Sequence, residues 1–121
     1  MKKVLIIDDS PFMTRMFSLK LHDEGFESLI AGNAQDGLKI AANEQPCVIL
    51  LDIAMPGMTR WDVLSKLKTD DETKNIPVLI LTNSKGNPED YDRAKRIGAV
   101  EFLMKIDLKV DDIIEIVKKY I

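Results

Sequence analysis

Short apolar runs recur along the chain, and between them apolar residues are spaced by three and four. The stretch KVLIIDDS (3–10) opens with the run Val4 to Ile7 and ends in two adjacent carboxylates, Asp8 and Asp9. ESLIAG (27–32), CVILLD (47–52), PVLILT (77–82) and VEFLMK (100–105) are also short and rich in β-branched and aliphatic residues, which predicts strands. Three of the five runs are apolar almost without alternation, the pattern of strands covered on both faces in a parallel sheet.

The intervening stretches carry helix signals. Ser10 is suited to cap a first helix with Pro11 in its first turn, and Gly25 to close it. Met13, Met16, Phe17 and Leu21 are expected on its inward face. Asn33 caps a second helix with Leu38 and Ala41 inward, and a third runs near Arg60 to Lys68 with Leu64 and Leu67 inward. Asn87 and Pro88 start a fourth, which ends at Gly98. The fifth, from about Val110 to Tyr120, places Val110, Ile113, Ile114, Val117 and Ile121 on one stripe, with Lys118 and Lys119 at its negative end. Strand and helix alternate five times, which predicts an α/β doubly wound parallel sheet between two helical layers. In such sheets ligands bind beyond the carboxyl ends of the strands.

The chain has 121 residues, 45% hydrophobic and 31% charged, the size and composition of one soluble domain over 1–121. No apolar stretch approaches the roughly 20 residues of a membrane span, and no secretory signal is visible, so a cytoplasmic location without membrane attachment is expected. The single cysteine, Cys47, excludes an internal disulfide and reads as a small buried apolar residue. The net charge of −3 is spread along the chain without a basic stripe, which argues against direct nucleic-acid binding. His22 lies mid-helix with no metal-binding or nucleophilic companion, and Lys85, Arg93, Lys95 and Arg96 read as a solvated face.

The polar residues that end the apolar runs are the candidate chemistry. The first run ends in Asp8 and Asp9, the third in Asp52, the fourth in Thr82 and the fifth in Lys105. Neighbouring strands lie about 4.8 Å apart, so these termini converge on one rim. Clustered carboxylates require a cation, and oxygen-only ligands favour a hard ion such as Mg²⁺. Magnesium commonly shares a site with a phosphoryl group, to which Lys105 offers charge and Thr82 a hydroxyl donor. Asp52, on the central strand, is the candidate nucleophile forming an aspartyl phosphate, and Asp8 and Asp9 are placed to hold the metal.

With these residues in view, the whole chain resembles a response-regulator receiver domain of bacterial two-component signalling, of the single-domain chemotaxis-regulator type. VLIIDDS, VILLDIAMPGM, VLILTNS and GAVEFLMK carry the resemblance. It implies a flavodoxin-like strand order of 2-1-3-4-5 and phosphorylation of Asp52 by a histidine kinase or phosphotransfer protein. Asp8 and Asp9 would hold Mg²⁺ together with Asp52 and the backbone carbonyl of Ala54. Thr82 would be the switch hydroxyl, Lys105 the phosphate-pairing lysine and Phe102 the aromatic switch residue. The altered surface of helix four, strand five and helix five would then signal to an effector protein, as a monomer or a phosphorylation-dependent dimer. The chain, stand-alone or excised from a larger regulator, would catalyse only its own phosphorylation and dephosphorylation.

Three departures from the family pattern stand out. Lys105 is followed by Ile106 rather than proline, and a cis bond there costs roughly 2.5–4 kcal/mol, so a trans bond is expected. Arg60 occupies a usual glycine position, so the loop GMTRWD is expected to differ locally with Trp61 partly exposed, its ring read as packing on the helix face in preference to contacting a partner. The segment after Thr82 is one residue longer than usual. Ala54, with only a methyl group, can neither orient nor activate water, which predicts slow loss of the phosphoryl group.

Other functions fit less well. A magnesium-dependent phosphatase with an Asp nucleophile normally needs a second Asp where Ala54 stands. A flavin carrier would not place Asp8 and Asp9 against a phosphate. A docking module independent of phosphorylation has no need of all five site residues.

Overall fold

The computed structural model describes residues 2–52, 60–82, 88–104 and 108–121. Its elements run β1 (Lys3–Ile7), α1 (Pro11–Asp23), β2 (Glu27–Ala31), α2 (Ala34–Glu44), β3 (Val48–Asp52), α3 (Arg60–Thr69), β4 (Val78–Thr82), α4 (Pro88–Ile97), β5 (Glu101–Met104) and α5 (Val110–Lys118). The strands form one parallel sheet in the order β2-β1-β3-β4-β5. Every residue of β3 and β4 is buried, and so is β1 after its first residue, whereas β2 and β5 lie at the edges and are only partly covered. The three runs without alternation are therefore the three central strands.

Alternate residues of those strands feed two apolar layers. Val4, Ile6, Val48, Leu50, Leu79 and Leu81 meet Phe17 and Leu21 of α1 and Ile113, Ile114 and Val117 of α5. Leu5, Ile7, Ile49, Leu51, Val78 and Ile80 face α2, α3 and α4 through Ala41, Trp61, Leu64, Leu67 and Ala94. Val110 and Ile121 sit at the margin of the first layer and Leu38 at the margin of the second.

The expected caps form. Ser10 Oγ accepts the Met13 N–H at 3.3 Å, and Asn33 Oδ1 accepts the Asp36 N–H at 2.9 Å. Gly25 and Gly98 follow α1 and α4 with φ of 88° and 133°, conformations open chiefly to glycine. Gln45 ends α2 at a φ of 50°, and its side-chain amide donates to the carbonyls of Ala42 at 3.0 Å and Glu72 at 2.8 Å.

Three expectations are corrected. Met16 is exposed, because it shares the outward stripe of α1 with Phe12 and Leu19, and the buried Thr14 takes an inward place, its hydroxyl donating to the Pro11 carbonyl. Trp61 is only 8% exposed and packs into the α2–α4 layer as the second residue of α3. Cys47 is only partly buried; its thiol donates to the Lys3 carbonyl at 3.0 Å, and burial raises its pKa. His22 is exposed. The trans Lys105–Ile106 bond and the loop before Arg60 lie outside the described residues, as do Asn87 and the rest of the segment between Thr82 and Pro88.

An ion network ties α1 to α5. Lys118 Nζ lies 2.9 Å from Glu24 and 3.1 Å from Glu115, while Lys20 bridges Glu24 and Asp111 at 3.4 Å each. The hydrogen bond to Lys118 lowers the pKa of Glu24 and raises that of Lys118. Among the described residues, no helix is long and apolar enough to cross a membrane.

Candidate phosphoryl and metal site

Strand register assembles the rim. Ile7 pairs with Leu51, so the next residues, Asp8 and Asp52, leave β1 and β3 side by side. Asp52 pairs with Leu81, which sets Thr82 one step further along β4. Thr82 pairs in turn with Met104, the residue before Lys105. The order β1-β3-β4 thus brings to one edge residues as far apart in sequence as Asp8 and Thr82. Neighbouring parallel strands are joined here through helices, which is why spacing along the chain gives no measure of closeness at the rim.

Asp8 is anchored twice. Its N–H donates to the Ala31 carbonyl at 3.0 Å, extending the β1–β2 ladder, and its Oδ1 accepts the Ser10 N–H at 2.9 Å. Ser10 therefore serves both the helix cap and the orientation of the neighbouring carboxylate. Asp8, Asp52 and Thr82 are buried and Asp9 is exposed. One carboxylate oxygen from each of Asp8, Asp9 and Asp52 lies within 4.8 Å of the others. At that separation two unit charges repel by about 3.5 kcal/mol at an effective dielectric of about 20. Three oxygen donors of this kind, two of them buried and one open to solvent, form a set suited to a hard divalent cation that keeps part of its water shell.

Phe102 pairs with Ile80 on β4, two residues before Thr82, and packs at the margin of the α2–α4 layer. The Tyr91 ring of α4 meets it edge to face, with centroids 6.1 Å apart and planes at 74°. Ala54 and Lys105 lie outside the described residues.

Two features escaped the sequence reading. Phe12, Met16 and Leu19 form an exposed apolar stripe on α1, starting three residues after Asp9. Their i, i+4, i+7 spacing opposite Phe17 and Leu21 was the available signal, since one helix cannot bury all of them on a single face. The guanidinium of Arg93 lies over the Trp61 ring, 4.9 Å from its centroid. No local pattern announces that contact, because the partners are on different helices.

Comparison with known proteins gives a consistent picture. The family model for the response regulator receiver domain matches residues 4–118. Protein PilH of Pseudomonas aeruginosa is 39% identical over 105 residues, covering 87% of this chain and 86% of that protein. Sporulation initiation phosphotransferase F of Bacillus subtilis is 32% identical over 120 residues, 99% of this chain and 94% of that one. The response regulator PleD of Caulobacter vibrioides is 36% identical over 111 residues, but the match spans only 24% of its length. Among solved structures, the Vibrio cholerae chemotaxis protein CheY4 superimposes with a TM-score of 0.90 at 29% identity, over 100% of this chain and 99% of that one.

Proposed function

This chain belongs to the response-regulator receiver family of two-component signalling, and from that premise we propose that Asp52 is its phospho-acceptor. The observation that carries the reading is the convergence of Asp8, Asp9 and Asp52 within 4.8 Å at the carboxyl edge of a parallel sheet. Asp52 is the one member on the central strand, flanked by β1 on one side and β4 on the other.

In the proposed reaction a carboxylate oxygen of Asp52 attacks the phosphorus of a phosphohistidine carried by a kinase or phosphotransfer protein. The P–N bond breaks, its electron pair returns to the imidazole nitrogen, and the ring takes up a proton. Asp8, Asp9, Asp52 and the Ala54 carbonyl would hold Mg²⁺, whose charge neutralises the carboxylates and the phosphoryl oxygens when bound. Ser10 keeps Asp8 in position through its N–H. Thr82 would donate its hydroxyl to a phosphoryl oxygen, and Lys105 would pair with another. The chain would act on itself alone, as a signalling module that gains and loses one phosphoryl group.

A protein donor must cover the rim, and the exposed stripe of Phe12, Met16 and Leu19 beside it supports docking of an apolar helical face there. Output would pass from Thr82 through Phe102 to the surface of α4, β5 and α5 and on to an effector. The methyl group of Ala54 favours a long-lived phosphoryl group, and Ala54→Asn is expected to speed its loss; an unchanged rate counts against that role.

Mass spectrometry after treatment with acetyl phosphate and Mg²⁺ tests the assignment. One phosphoryl group is expected on the wild type and none on Asp52→Asn. Equal modification of both would move the acceptor elsewhere.

A further inference from the structure

The two helices that follow the site strands are held very differently. α3, which follows Asp52, buries Trp61, Val63, Leu64 and Leu67. α4, which follows Thr82, buries only Ala94 among its described side chains, with Ile97 at the margin. Attachments at its periphery include Arg93 over the Trp61 ring, Tyr91 edge-on to Phe102, and Lys95 reaching the Val100 carbonyl. A helix with so little apolar burial is the element that yields when its neighbours shift.

We propose that the stack of Arg93 on Trp61 is a latch that holds α4 against α3 in the unloaded protein and opposes phosphoryl loading at Asp52. The inference rests on the reading of Asp52 as acceptor and Thr82 as the hydroxyl that answers it. Trp61 is the second residue of the helix after the Asp52 strand, and Arg93 lies on the helix after the Thr82 strand. Their contact is therefore where the two arms leaving the site meet. Drawing Thr82 toward a group on Asp52 displaces the end of β4 relative to β3, and α4 moves with it because α3 is anchored in the core. A guanidinium over a ring is attractive only at short range, so that displacement loosens the stack. A contact stronger in the unloaded state than in the loaded one reduces affinity for the loading group by the same factor. For a cation over an indole at a partly exposed site, that factor is about two- to fivefold.

Trp61 is the single tryptophan of the chain, so its emission reports the latch without labelling. The test titrates the full chain with beryllofluoride in the presence of Mg²⁺, following binding by ¹⁹F resonance and the latch by Trp61 fluorescence. In the wild type, loading is expected to change the emission. Arg93→Ala is expected to bind beryllofluoride about two- to fivefold more tightly, with its unloaded emission already shifted toward that of the loaded wild type. Arg93→Lys, which keeps the charge but lacks the flat stacking surface, is expected to fall between them. Arg96→Ala, at an exposed position outside the stack, is expected to match the wild type. Thermal melts establish that each variant folds, and if Arg93→Ala does not, Arg93→Lys carries the comparison. Wild-type or weaker affinity in the folded Arg93 variant overturns the latch while leaving Asp52 as acceptor. Absence of Asp52-dependent beryllofluoride binding in the wild type overturns the acceptor assignment and the latch with it.

Discussion

Replacing Asp8 with Asn removes one negative charge from the acidic trio while keeping an oxygen to accept the Ser10 N–H, now at 2.9 Å from Oδ1. Asp8 and Asp52 are both buried and their oxygens lie within 4.8 Å, so their repulsion is about 3.5 kcal/mol at an effective dielectric of about 20. Asp9 is exposed, and at the same separation water reduces its repulsion of Asp8 to about 0.9 kcal/mol. The sum, about 4 kcal/mol, is an upper bound, because neighbouring dipoles and counter-ions already offset part of it. A net gain of about 1–3 kcal/mol remains, and for a domain of this length each kcal/mol moves Tm by about 3–5 °C. In EDTA, Asp8→Asn is therefore expected to melt about 3–15 °C above the wild type. Added magnesium should narrow the gap: at about 100 times Kd a bound ion stabilises the wild type by about 2.7 kcal/mol, and the variant, with fewer charged ligands, gains less. Calorimetric melts of both proteins across a magnesium series measure the effect. A variant that melts at or below the wild type in EDTA would show that the three carboxylates are not electrostatically frustrated, and the argument for a cation at this rim would fail.

Other expectations concern the scaffold that holds the site. Gly37→Ala would put a Cβ 2.7 Å from Ile7 Cδ1 and 2.9 Å from Cγ1, against a fully buried side chain next to Asp8; overpacking outweighs the better helix propensity by about 1 kcal/mol, and urea unfolding should show a lower midpoint. Ser10→Ala removes the acceptor for the Met13 N–H and is expected to cost about 1 kcal/mol in the same assay, with Asp8 still anchored because the lost group is the hydroxyl and not the backbone N–H. Glu24→Gln should lower Tm by an amount that depends on pH. Lys118 depresses the pKa of Glu24, so the contribution of this carboxylate is present above the ordinary carboxylate range and disappears as pH falls through its depressed folded value. The raised pKa of Lys118 keeps its side of the pair in place until pH rises above the ordinary lysine range. The difference between wild type and Glu24→Gln should thus be level between roughly pH 6 and pH 9 and close on acidification. A difference that grows in acid would contradict the pairing.

Much of the fold could be read from local pattern. The uninterrupted apolar runs of β1, β3 and β4 carried the information that those strands are central, because a strand covered by helices on both faces has no solvent side to keep polar. Ser10, Pro11, Asn33, Gly25 and Gly98 marked helix ends because capping and positive φ are chemistry within a few residues of the backbone. The trio of Asp8, Asp9 and Asp52 was also foreseeable, since strands of one parallel sheet must end on a common edge. Misjudgements fell where exposure depends on a distant neighbour. The methionines of α1 appeared equivalent by spacing, yet Met13 packs against the layer of α1 and α5 while Met16 points outward. Trp61 was expected to pack on the helix face yet stay partly exposed beside a loop; the packing forms, and an arginine on another helix covers part of the ring.

The sequence by itself determined the alternation of strand and helix, the burial of the three central strands and the polar residues that close them, because periodicity, capping and turn chemistry act over a few residues. Only the tertiary structure decided how near the three carboxylates come, which stripe of α1 stays uncovered, and that α4 rests on α3 through Arg93 and Trp61. Those outcomes depend on strand register and on which helix packs over which side chain, and the chain settles both only when segments far apart in sequence come together.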